Sequence, residues 1–248
     1  MAIHPRLAAA LGLSLVSALV LTATVRGDQA ATPAGFRPLF DGKSLAGWRG
    51  YKKTDASTTR WKVDQGMLCL GANNGADTRG ALDIVTTDTF TDFELRWDWR
   101  ISLGGNSGVK YFVLEDQDSA IGHEYQVIDD ERHPDAKIGP HRQTDAFYDV
   151  LAAPLPRPLK PAGEWNTSRV RVAPSPVVKG GTRVDHYLND VRVLEYELNY
   201  PELAAAIEKS KFKGIDRFGK LQNGHILLQD HGNQVWYRNI KIQRLGSS

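Results

Sequence analysis

From about Phe36 onward the chain alternates apolar and polar residues in short runs, the period of strands whose successive side chains point to opposite faces. The clearest is "FELRWDWRI", which sends Phe93, Leu95, Trp97, Trp99 and Ile101 one way and Glu94, Arg96, Asp98 and Arg100 the other. In "NSGVKYFV", Val109, Tyr111 and Val113 alternate with Asn106, Gly108, Lys110 and Phe112. In "GHEYQVID", Tyr125 and Val127 alternate with Glu124, Gln126 and Ile128. In "GHILLQDHG", Ile226 and Leu228 oppose His225, Leu227, Gln229 and His231. Turn residues separate the runs, as in "DQG", "GGNSG", "KGGT" and "LNDV". About a dozen strands with almost no helix predict an all-β sandwich or barrel.

One helical pattern interrupts them. "NYPELAAAIEKSKF" opens with Pro201 and Glu202 and places Leu203, Ile207 and Phe212 toward one face, predicting a short helix near 201–211 over an edge or end of the sheets. Lys209, Lys211 and Lys213 suit its negative C-terminal end. The proline-rich "LAAPLPRPLKPAGEW" reads as an extended loop.

The N-terminus changes the picture of where the chain works. Residues 1–27 carry His4 and Arg6, then an apolar run to about Val25, and read as a secretory signal cut after Gly27, with a retained membrane anchor as the alternative. Residues 28–35 read as a linker and 36–245 as one domain, exported to the periplasm or cell exterior. Losing residues 1–27 removes Arg6 and Arg26 and leaves 29 basic against 29 acidic side chains. A formally neutral chain argues against nucleic acid and against a polybasic membrane face, so no membrane contact is expected after cleavage. The single cysteine, Cys69, reads as a small buried apolar residue.

If the apolar sets share one core, Arg96, Asp98, Asn106, Lys110, Glu124, Gln126, Gln229 and His231 project from a polar sheet face. A one-sided antiparallel sheet presents such residues to water without binding anything. Together, however, amides, an acid, a lysine, an imidazole and nearby tryptophans suit hydroxyl-rich ligands, so an oligosaccharide or glycoside is the expected partner.

An ordinary glycosidase needs two carboxylates about 5–5.5 Å or about 6.5–9.5 Å apart. Glu94 and Asp98, four residues apart on one strand, stand roughly 13 Å apart and fail the test. Glu195 and Glu197 in "EYE" come near the inverting range but read as an exposed edge. The loop Asp129 to Asp145 gathers acids with His133 and His141; its spacing fits no zinc or EF-hand pattern, so it reads as a mobile substrate-side loop. No cofactor is expected, with a divalent metal in this loop as the alternative. "GANNGADTRG" lacks the Lys-Ser/Thr ending of a phosphate loop and reads as a turn.

The motifs "LFDGKSLAGW", "WKVDQGML", "FELRWDWR", "GGNSGVKYF", "GHEYQVID", "GEWNTSRV", "HYLND", "SKFK" and "GHILLQDHGNQVWYRNIKI" resemble, in order and spacing, the 3-keto-disaccharide hydrolase domain family from about Phe36 to Leu245. The resemblance implies a concanavalin A-like jelly-roll sandwich and cleavage of glycosides already oxidised at C3. A C3 ketone acidifies the C2 proton. A base removes it, the C1 oxygen leaves by β-elimination, and water adds to the product. Such a site needs one base, donors for the enolate oxygen and an acid for the leaving group, rather than a carboxylate pair.

The polar face supplies candidates. Glu124 or His231 is the base, Lys110, Asn106 and Gln126 hold the ketone and hydroxyls, and Gln229 steadies the imidazole. Arg96 belongs to the same face, and Tyr148 and Trp165 can stack on a sugar or pack. Strict alternation turns Asp230 inward with Ile226 and Leu228, and gives Arg238 the phase of Ile240 and Ile242 unless a bulge at Asn239 intervenes. His186 shares the phase of Val184 and Leu188 and reads as a core histidine. A non-catalytic carbohydrate-binding module and a conventional glycosidase using Glu195 and Glu197 remain the alternatives, since one fold serves all three.

Overall fold

The computed structural model describes Met1 and residues 35–72 and 82–246. The expected leader, nearly all of the linker and most of the "GANNGADTRG" turn lie outside the described residues. In chain order the strands are β1 (Arg37–Pro38), β2 (Trp48–Gly50), β3 (Lys62–Asp64), β4 (Met67–Leu70), β5 (Ile84–Thr86), β6 (Phe93–Ile101) and β7 (Asn106–Val113). They continue with β8 (His123–Ile128), β9 (Asn166–Pro174), β10 (Thr182–Leu188), β11 (Val191–Glu197), β12 (His225–Leu228) and β13 (Val235–Arg244). The only α-helix among the described residues, α1 (Pro201–Ile207), lies between β11 and β12. It is shorter than expected and buries Leu203; Phe212 reaches the interior from the following turn, stacked on Phe218 at 4.3 Å.

The strands form two antiparallel sheets packed face to face, a jelly-roll β-sandwich. One has eight strands, ordered β11-β10-β9-β6-β13-β4-β3, with β1 on β13 beyond β4. The other has five, ordered β2-β5-β12-β7-β8. Phe93, Leu95, Trp97, Trp99 and Ile101 of β6 are all buried between the sheets, as their alternation requires, and Trp97 meets Tyr125 of β8 edge-on at 5.0 Å. Such an aromatic pair adds about 0.5–1.5 kcal/mol beyond its buried area.

One directed chain of hydrogen bonds runs through the histidines and tyrosines of this core. Gly219 N–H donates to His123 Nε2, so His123 carries its proton on Nδ1 and donates to the Tyr196 hydroxyl. Tyr196 donates to Tyr111, Tyr111 to His186 Nε2, and His186 Nδ1–H to the Asp145 carbonyl. Burial holds both imidazoles neutral, at about 3 for His123 and about 4 for His186. His186 is thus a core histidine, as its phase indicated.

Two left-handed residues break strict alternation. Phe112 (φ 59°) ends the regular part of β7, so Phe112 enters the main core and Val113 turns to the sheet's outer face. Expectation had them the other way round. Asn239 (φ 53°) bulges β13 between its two stretches of pairing with β6, so Tyr237 and Ile240 both face the core. Arg238 therefore points outward, opposite in phase to Ile240.

Candidate active site

On the outer face of the five-stranded sheet, Tyr51, Val85, Val113, Ala120 and Leu227 form a small apolar cluster roofed by the loop after β7. Beside it a cavity of about 260 Å³ opens. Its floor is Lys110 of β7 and Glu124 of β8, directly opposite each other across the ladder, with Asp83 at the start of β5. The walls are residues 119–122, Lys211 and Phe212 after α1, and Gln229, Asp230 and His231 after β12.

Local structure fixes the floor. Glu124 is 4% exposed, and its carboxylate lies over Gly108, where a Cβ would stand 2.9 Å from its carboxyl carbon. Gly108 therefore makes the space that Glu124 occupies. Lys110 Nζ stands 3.6 Å from Glu124 Oε2 and donates to the Ala120 carbonyl at 3.1 Å. Asp83 Oδ1 accepts from Asp230 N–H at 2.8 Å. Burial pushes the Asp83 carboxyl up to about 6; the charges of Glu124 and Asp230 add to this, while Lys110 and the Asp230 amide oppose it. Burial raises Asp230 as well, against the Gly232 amide and Arg60. Asp230 Oδ2 and Gln229 Oε1 are both shielded from water without a hydrogen-bond partner.

Four of the expected face residues, Lys110, Glu124, Gln229 and His231, line this one cavity. Asn106 and Gln126 lie on the same sheet face, on neighbouring rungs, but are buried away from the cavity: Gln126 folds onto its own backbone at Val127 N, and segment 145–148 covers the edge of β8. Tyr148 stands one layer back, its hydroxyl donating to Asp135 and its ring under Lys211 Nζ at 4.1 Å.

Arg96, Trp165 and Arg238 are elsewhere. They lie on the outer side of the eight-stranded sheet, where Arg96 pairs with Glu94 and Arg238 covers the Trp165 ring at 4.0 Å beside Asp98. Alternation assigns a residue to the face away from the core, but a sandwich has two such faces, one per sheet. Glu195 is on that side too, paired with Arg183 and Arg192, while Glu197 accepts from Ser175. Neither lines this cavity.

Asp83, Asp230 and Lys211 were missed. Asp230 lies two residues beyond Leu228, the end of β12, so the strand's parity no longer applies, and it joins the cavity lining with its side chain buried. Lys211 sits in the "SKFK" motif, but the residues themselves signalled only a helix end.

The acids of the 129–145 loop are committed internally. Asp129 accepts from Gly104 N–H, Asp130 from Thr144 N–H and Arg157, and Asp135 from Arg142 and Tyr148. This pinning contrasts with the mobile loop expected. Among the described residues no group of three or more His, Cys, Asp or Glu side chains could hold a metal ion.

The family model for the 3-keto-alpha-glucoside-1,2-lyase-like domain matches residues 35–243. The chain belongs to this family. A relative in Bacteroides thetaiotaomicron, a 3-keto-disaccharide hydrolase, is 34% identical over 238 residues, covering 85% of this chain and 79% of its own. Two crystal structures from Parabacteroides distasonis, both described as glycosyl hydrolases, share the fold. One has a TM-score of 0.72 at 27% identity, covering 86% of this chain and 94% of its own. The other scores 0.62 at 25%, covering 85% and 99%. Membership of the family and these relatives make the chain a sugar-active hydrolase.

Proposed function

We propose that the chain cleaves glycosides carrying a ketone at C3, by elimination followed by hydration. The observation that carries this reading is the buried Glu124 carboxylate, seated over Gly108 on a cavity floor and flanked by Lys110, with His231 at the mouth. Glu124 takes the C2 proton, and the C2–H electrons form an enolate through the C3 carbonyl. The enolate collapses and the C1–O bond breaks, leaving a C1–C2 double bond. His231, exposed at the mouth where an aglycone would leave, gives the departing oxygen its proton. Water then adds at C1 and a proton at C2, which completes net hydrolysis. Asp230 and Gln229 line the same cavity beside the bound sugar. Lys110 gives the buried carboxylate its counter-charge. We further propose that the domain acts outside the cytoplasm after loss of residues 1–27.

The test is to incubate the mature domain with a 3-keto-glucoside and with the same glucoside unoxidised. Cleavage of the ketone alone, lost in Glu124→Gln, supports elimination. Equal cleavage of both substrates sinks it, and tight binding without cleavage makes the domain a carbohydrate-binding module. Amino-terminal sequencing of the protein from the exported fraction tests the leader: a start at Met1 would refute it.

A further inference from the structure

The cavity holds two lysines with different surroundings. Lys110 already has partners, the Glu124 carboxylate at 3.6 Å and the Ala120 carbonyl at 3.1 Å. Lys211 does not: among the described residues no carboxylate pairs with its Nζ within 4.0 Å. The ammonium instead lies 4.1 Å from the centroid of the Tyr148 ring and 5.1 Å from that of Phe212. Aromatic faces hold a cation without cancelling its charge.

The backbone beneath it is anchored. Lys211 N–H donates to Asp149 Oδ2 at 2.7 Å, and Asp149 is itself held by Arg142 Nε at 2.7 Å. Phe212 N–H donates to Ser210 Oγ, the Phe212 ring stacks on Phe218, and the Tyr148 hydroxyl is fixed on Asp135. Lys211 is exposed, so water reaches its charge. A sugar ring entering between Lys211 and the floor displaces that water.

We infer that Lys211 is a further catalytic residue, whose ammonium receives the C3 oxygen as that oxygen becomes an enolate. The inference rests on the elimination proposed above. A positioned charge without a counter-ion stabilises an anion that appears only during reaction, whereas Lys110 is compensated before any substrate arrives. No covalent bond to Lys211 is required: the C2–H electrons move into the C3 carbonyl and return when the C1 oxygen departs. The placement is also chemically economical, because C2 lies between C1 and C3. Glu124 as the base under C2 shares this cavity with His231, for the C1 oxygen, and Lys211, for the C3 oxygen. Partial desolvation lowers the Lys211 amine below the usual lysine value; Glu124 opposes this and Lys110 adds to it. A lowered lysine loses its ammonium earlier as pH rises.

The experiment compares wild type, Lys211→Met and Lys211→Arg on a 3-keto-glucoside bearing either hydrogen or deuterium at C2. Lys211→Met should lose about 10²–10³-fold in kcat, in the range of removing one oxyanion donor. Its isotope effect should be fully expressed. Binding of the unoxidised glucoside, which has no C3 carbonyl, should be unchanged. Lys211→Arg, which keeps the charge, should retain more activity. Unchanged melting temperatures show that the variants fold. Wild-type kcat in Lys211→Met, even with a raised KM, overturns the assignment. A substrate adduct trapped on Lys211 by borohydride also overturns it, because the amine would then act covalently. A wild-type enzyme that spares the ketone, or shows no C2 isotope effect, fails the elimination itself, a result distinct from failure of Lys211 alone.

Discussion

Gly108→Ala separates the position of Glu124 from its chemistry. Gly108 lies inside β7 and has no positive φ, so its backbone accepts alanine. Its new Cβ would stand 2.9 Å from Glu124 Cδ and 3.0 Å from Cγ, and closer still to Oε1, against ordinary contact at 3.4–4 Å. The carboxyl carbon must therefore retreat by about 0.5 Å and its nearer oxygen by roughly 1 Å. The blocking atoms are the end of a flexible side chain, so the fold yields at modest cost. Overpacking costs about 1–3 kcal/mol, and the restricted unfolded chain returns about 0.4–1 kcal/mol. The net is about 0–2.5 kcal/mol, or a fall in Tm of no more than about 10 °C at roughly 2–4 °C per kcal/mol. Catalysis is less forgiving, since a misplacement of about 1 Å can cost about 10²-fold. The assay is kcat on a 3-keto-glucoside beside a thermal melt. Gly71→Ala, where an added Cβ meets nothing within 4 Å, serves as the control. A Gly108→Ala enzyme with wild-type kcat would refute the claim that Glu124, held over Gly108, is the reacting carboxylate.

Other substitutions read the same floor. Lys110→Met strands a buried carboxylate and should cost about 3–5 kcal/mol in chemical denaturation, most of it recovered in the double variant with Glu124→Gln; equal losses in single and double variants would rule out the pairing. His123 and His186 are depressed to about 3 and about 4, so their stabilising contribution is complete above pH 6.5 and is lost as pH falls from there through those values. Denaturation midpoints measured from pH 7 to pH 4 should therefore fall, and a flat profile would contradict the buried neutral imidazoles. Asp83 acts with the opposite sign: its pKa is raised from 3.8 to about 6, so the stability it lends at low pH is lost as pH rises through that window. Asp83→Asn should gain stability relative to wild type at pH 7 but not at pH 3.5, and a constant difference would refute this.

What was legible in the sequence is what strand parity controls. The alternation of β6 placed five large side chains between two sheets, and the same counting put Lys110 with Glu124 on a face away from the core. Parity fails where the backbone changes hand or the strand stops. Left-handed Phe112 and Asn239 each reset the phase, and Asp230 lies past the end of β12. Nor does parity say which sheet a strand joins, which is why Arg96, Trp165 and Arg238 look like neighbours of Glu124 in sequence pattern yet occupy the opposite side of the molecule. The cavity itself is decided by tertiary structure alone. It exists because a loop after β7 roofs part of the sheet, the turn after α1 brings Lys211 over Tyr148, and the turn after β12 ties Asp230 to Asp83. Those approaches join residues far apart in the chain, and local periodicity carries no record of long-range distance.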